Sequence, residues 1–186
     1  MAAPKRTPLE QADDAAFEKM LATATPREGR VRLCLAGALN AELEELEEEL
    51  VACGPGWSPG SLADADPRVT LAERIEATRE RMKASERVFR MRSLDDEAWS
   101  DLLAAHPARD GKQELFNAAT LPRVLIAACC VDPVMTPEQY DRLAPVLNQG
   151  QRNQLFNTAW DCNTEATAVP FSLSASAILA ARTDAK

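Results

Sequence analysis

A mainly α fold with a small β component (α+β) is what this sequence predicts, and three observations carry it. Leucine and alanine are plentiful while aromatic residues make up only 5% of the 186, a balance that favours helices around a modest core. Two segments carry apolar residues at helical spacing on either side of a Gly/Pro-rich loop. Two short segments of strict alternation flank that pair. The expected arrangement is an antiparallel helical coiled-coil hairpin flanked by two short paired strands, followed by a small C-terminal helical domain.

Residues 1–29 read as a flexible arm. Within it, 9–22 form a short amphipathic helix through Leu9, Phe17, Met20 and Leu21. From 30 to 36, Val31, Leu33 and Leu35 alternate with Arg32 and Cys34, the period of a half-buried strand, and Gly37 breaks the pattern. Leu39, Leu43, Leu46 and Leu50 then stripe one face of a helix over 38–52, and six glutamates between Glu42 and Glu49 fill most of the rest. Gly54, Pro55, Gly56, Pro59 and Gly60 mark a loop. Asp66-Pro67 is a helix start, an N-cap followed by proline at the first helical position.

The second helix, 67–85, repeats the spacing with Leu71, Ile75, Thr78 and Met82. Its five basic and three acidic residues oppose the six glutamates of the first helix, which is the charge match of an antiparallel coiled coil. Phe89 and Met91 alternate with Arg90 and Arg92 in a second strand over 86–92. The two strands pair at the base of the hairpin, so 30–92 is one unit. A two-stranded ribbon is marginal alone and needs something to pack on.

That support is the helical domain of 93–163, read as about four helices. Ser93 or Asp95 caps a helix over 95–105 with Trp99, Leu102 and Leu103 on one face, ended by His106-Pro107. A polar loop leads to an apolar helix from Thr120 to Val131, broken at Asp132-Pro133. Thr136-Pro137-Glu138-Gln139 is a capping box that opens a helix to about Leu147. Asn148-Gln149-Gly150 turns the chain into a last helix over 151–162. Residues 164–186 read as a loose tail.

The chemistry legible in the chain points away from catalysis. The net charge of −8 opposes nucleic-acid binding, where neutralised phosphates supply most of the affinity. No apolar run reaches the 18 to 20 residues or so of a membrane helix, and the Met1-Ala-Ala-Pro-Lys-Arg start carries no secretory apolar stretch. Five cysteines without regular spacing (Cys34, Cys53, Cys129, Cys130, Cys162) read as reduced and mostly packed. His106, the sole histidine, stands at a predicted helix end, where a cap role outweighs catalysis. Too few zinc ligands and no phosphate or nucleophile motif are present, so no catalytic residue, metal or cofactor is assigned. The candidate partner contacts are Arg30, Arg32, Arg90 and Arg92, joined by Arg87 in a cluster on one ribbon face, and Trp57 at the hairpin tip. Edge protection is the competing reading of the arginines; a fold-back onto the helices is that of the tryptophan.

Four pieces follow one another in a telling order. They are Val31-Arg-Leu-Cys-Leu-Ala-Gly37 before a glutamate-rich helix; Val88-Phe-Arg-Met-Arg-Ser-Leu94 running to Trp99 and Leu102-Leu-Ala-Ala-His-Pro107; Phe116-Asn117, Pro122 and Ala127-Ala-Cys-Cys-Val-Asp-Pro133; and Gly150-Gln151, Leu155-Phe156, Asn163 and Val169-Pro-Phe-Ser172. Together they cover about residues 30–172 and resemble the small tail assembly chaperones of long-tailed, siphovirus-type actinobacterial phages. The resemblance implies a non-enzymatic protein that binds the long, apolar tape measure protein before the tail tube polymerises around it. It implies the tail tube protein and a frameshifted longer form of the chain as further partners, with homo-oligomerisation left open. It also implies residence in the cytoplasm of the infected host and absence from the mature virion. The competing reading is a structural or adaptor phage protein that stays in the particle.

Overall fold

The computed structural model describes residues 8–58 and 65–168. In chain order the elements are α1 (Pro8–Leu21), β1 (Glu28–Cys34), α2 (Ala38–Ala52), α3 (Pro67–Ala84), β2 (Glu86–Arg92), α4 (Asp96–Ala105), α5 (Leu121–Cys129), β3 (Cys130–Asp132), α6 (Pro137–Leu143), a 3-10 turn (Ala144–Val146) and α7 (Gln149–Thr164). The fold is mixed helix and sheet, with helix dominant, as expected.

The two expected strands pair antiparallel, Glu28 opposite Arg92 through Cys34 opposite Glu86. Alternation sends Val31, Leu33, Phe89 and Met91 into the core and leaves Arg30, Arg32, Arg90 and Arg92 exposed. The ribbon finds its support where the sequence placed it. Its four apolar side chains share one core with Leu121, Leu125, Ile126 and Cys129 of α5, Tyr140 of α6, and Leu155, Ala159 and Cys162 of α7. Met91, Leu121, Leu125, Ile126 and Leu155 have no exposed surface, each contributing about 1.5–3 kcal/mol by burial.

Helices α2 and α3 form a second, smaller cluster of Leu46, Leu71 and Ile75, flanked by Leu43 and Leu50. Cross-helix ion pairs run in opposite chain order, Glu42 to Arg81, Glu47 to Arg79 and Glu49 to Arg74, so the helices are antiparallel. Buried Thr78 donates its hydroxyl to Glu42 (3.2 Å). Asp66 caps α3 by accepting the Arg68 amide. At the neck, Leu35 N–H donates to Ser85 C=O, and the Ser85 hydroxyl donates to Met82 C=O (2.7 Å).

The structure departs from the expected boundaries in several places. Strand β1 begins at Glu28, so Glu28 and Gly29 belong to the sheet and not to a flexible arm. A Cβ on Gly29 would lie 2.7 Å from Thr158 Cγ2 and 3.1 Å from Cys162 Sγ; the missing side chain is what lets β1 approach α7. The apolar helix stops at Cys129, and Cys130–Asp132 form a third strand on β2, because residue 132 precedes a proline and is held extended. Helix α6 ends at Leu143, since Pro145 has no amide to continue it. Asn148 opens α7 as a capping box with Gln151, where a turn was expected. The tail beyond 168, with its Val169–Ser172 piece, lies outside the described residues.

Helix α7 braces β1 at three levels. Gln151 Nε2 donates to Cys34 C=O (2.8 Å), Thr158 and Cys162 pack on Gly29, and Arg27 binds the Glu165 carboxylate (2.8 Å) and carbonyl (2.7 Å). Arg27 to Cys34 spans about 23 Å of strand, and Gln151 to Glu165 about 21 Å of helix, so the two lengths match. Replacing Gly29 with Val is expected to lower stability by about 1–3 kcal/mol through overpacking against the stiff Thr158 side chain. Chemical denaturation measures this, and an unchanged midpoint contradicts the close approach.

Candidate protein-binding surfaces

Among the described residues the sheet is covered on one face only. Its other face carries the even-numbered residues of β1 and β2: Glu28, Arg30 and Arg32 beside Glu86, Val88, Arg90 and Arg92. Four of the five predicted arginines meet there. Arg87 does not, because it shares the parity of Phe89 and Met91; its guanidinium turns back to donate to Ala84 C=O (3.0 Å) and Glu86 C=O (2.7 Å). Period two puts a residue one position out of step on the opposite face.

Glu28 organises this surface. It accepts from Arg90 (2.6 Å) and Arg92 (2.6 and 2.9 Å), and these guanidiniums hold its carboxyl below the ordinary 4.5. Arg32 faces Glu86 at 3.6 Å. Arg30 forms no ion pair among the described residues. The face is net positive on a chain of net charge −8, and Val88, 43% exposed, adds an apolar spot opposite Arg32.

Trp57 lies elsewhere. It is half-buried in the loop beyond α2, separated from the sheet by a helix about 22 Å long. The sequence candidates therefore fall into two places, a basic sheet face and the segment that follows α2. Three of the six α2 glutamates (Glu42, Glu47, Glu49) are engaged by α3 arginines, so the acidic surface is smaller than the run of glutamates indicates.

The sequence assigns no residues to a groove, and two take shape in the fold. One, of about 650 Å³, lies beside the free end of β2 between Leu35, Val88, Phe89, Val134, Met135 and Leu143, with Val134 78% exposed. The other, of about 760 Å³, lies between α5, α6 and α7 against Pro122, Tyr140, Ala144 and Phe156. Each draws its walls from elements far apart in sequence, so no local pattern announces it. Helix α1 also leaves Phe17, Met20 and Leu21 about half exposed.

The residues that carry the resemblance build the body. Phe116 joins Trp99, Phe156 and Trp160 in an aromatic cluster with ring centroids 4.9 to 6.0 Å apart. The Asn117 side chain accepts from the Ala119 amide and leads the chain into α5. Asn163 accepts from the Leu94 amide (2.8 Å) and donates to Ala159 C=O (2.7 Å), bridging the start of α4 to α7. His106 is the C-cap residue of α4, its Nδ1 2.9 Å from Thr120 Oγ1.

All five cysteines are free thiols. Burial pushes Cys129 and Cys130 up to about 11 and raises Cys162, so these thiols stay protonated at neutral pH. Cys53 is exposed. Among the described residues, no three His, Cys, Asp or Glu side chains converge as a metal site, and no helix is long and apolar enough to cross a membrane.

Against protein-family models, curated proteins and solved structures, the chain finds no match.

The Glu28 pairing predicts a pH signature. Its contribution to stability is present above the ordinary carboxylate value of 4.5 and is lost as pH falls through the lowered folded value. In the Arg90→Ala/Arg92→Ala double variant, the Glu28 carboxyl is expected to titrate close to 4.5 by carbon-detected NMR. A titration unmoved by the double substitution contradicts the assignment.

Proposed function

We propose that this chain is a phage tail assembly chaperone that binds the tape measure protein and assists tail tube assembly without catalysis. One observation of the fold supports it most: a closed core coexists with uncovered apolar side chains at Phe17, Met20 and Leu21 and along the groove at Val88 and Val134. Uncovered apolar side chains beside polar rims are what a protein offers to another protein's apolar segments. The ordered pieces at 31–37, 88–107, 122–133 and 150–172 supply the identity of the client.

In this reading α2 and α3 are a short coiled-coil hairpin projecting from the sheet. It holds Trp57 away from the body as one contact point, with Arg30, Arg32, Arg90 and Arg92 as another for acidic stretches of a partner. The work takes place in the cytoplasm of the infected host, and the chain leaves before the virion is complete.

Co-expression tests it. The tape measure protein encoded alongside this chain is expected to be insoluble alone, and soluble and co-purifying in its presence. Unchanged solubility with no complex rejects the reading. Mass spectrometry of purified particles separates it from a retained adaptor: a chaperone is absent, whereas stoichiometric recovery favours the adaptor.

A further inference from the structure

Among the described residues β1 is an edge strand, paired with β2 on one side only. Ser93 N–H donates to Arg27 C=O and Leu35 N–H donates to Ser85 C=O. In the register of the ribbon both are directly opposed pairs, so the odd-numbered residues of β1 spend their backbone groups on β2. The even-numbered residues turn theirs outward. At one end of this outward row, Cys34 C=O is already taken by Gln151. At the other, Pro26 has no N–H to give. Glu28, Arg30 and Arg32 remain, with Arg30 at their centre.

We propose that two copies join through this edge, β1 antiparallel to β1, with Arg30 opposite Arg30, giving a continuous six-stranded sheet about a two-fold axis. Each central pair then exchanges two N–H···O=C bonds. The backbone selects this register: about Arg30, Pro26, which has no N–H, falls opposite Cys34, whose C=O Gln151 already holds. About Arg30, each Glu28 falls opposite Arg32 of the second copy on the same sheet face, twice by symmetry. The two Arg30 side chains stand opposite each other, and each, having no ion pair within the chain among the described residues, is also diagonal to Glu28 of the second copy, within reach of its long side chain. Sliding the register by two residues sets Glu28 against Arg30 or against Cys34, and leaves either the Arg32 C=O facing Pro26 or the Glu28 N–H facing the occupied Cys34 C=O without a partner. Edge arginines that discourage random pairing still permit a pairing that places a carboxylate against them. The inference rests on strand geometry alone and is independent of the client proposed above.

Sedimentation velocity between about 1 and 100 µM tests it. The wild-type chain is expected at twice its 20.3 kDa mass. Arg30→Pro removes the central outward amide while sparing the ladder to β2, as an edge proline does, and is expected to yield monomer. Arg32→Glu sets Glu28 against a glutamate and is expected to weaken association at least tenfold; it serves as the deciding variant if circular dichroism shows that Arg30→Pro does not fold. Arg123→Ala, on α5 and paired there with Asp141, is expected to leave association unchanged. A monomeric wild-type chain at the highest concentration overturns the proposal, as does a folded Arg30→Pro or Arg32→Glu variant that dimerises like wild type.

Discussion

The close contact of β1 with α7 is the constraint on which the rest of the molecule depends. A strand has two faces and two edges, and β1 uses one of each. Its inward face lies on α7, where Gly29 admits Thr158 and Cys162, and one edge is pinned to β2 over seven residues. Because β2 follows β1 by more than fifty residues, this junction closes the long chain excursion that holds α2 and α3. It also orients the ribbon so that Phe89 and Met91 reach Leu121, Leu125 and Leu155 in one core. Loosening Gly29 from α7 therefore disturbs the sheet, the neck of the hairpin and the C-terminal helices together.

The same economy leaves surfaces open. Among the described residues the three-stranded sheet is covered on one face, and its other face carries the charges suited to contact with water. The hairpin owes little of its own packing to the body, since its cluster of Leu46, Leu71 and Ile75 is separate from the main core. Phe116, Asn117, Gln151 and Asn163, on which the proposed kinship with tail assembly chaperones rests, are caps, turns and ring contacts in this fold. Their role is to reproduce the fold, and the proposed binding is left to the faces around it.

Local pattern made much of this legible. The leucine stripes, the Asp66-Pro67 start, the Thr136 capping box and the alternation of Arg90 and Arg92 with Phe89 and Met91 each state their element within a few residues. What depends on two distant segments meeting did not show. Cys130 and Val131 read as the end of an apolar helix because only the pairing of Cys130 with Met91 and of Asp132 with Arg90 makes this segment a strand. Gly29 looked like part of a mobile arm because its reason lies 129 residues away, at Thr158. Arg87 was misplaced by one step of parity that the alternation itself contained. Both grooves are products of tertiary approach, and the half-burial of Trp57 follows from where its loop sits beyond α2.

Site-resolved native-state hydrogen exchange tests the central claim most directly. The account predicts that the inward amides of Val31 and Leu33, those of Phe89 and Met91, and those of Leu155 and Ala159 in α7 open as one unit with a common free energy, while α2 and α3 open at lower cost. If β1 and β2 instead exchange together with α2 and α3 and independently of α7, the strand is not held by that helix and the account is wrong.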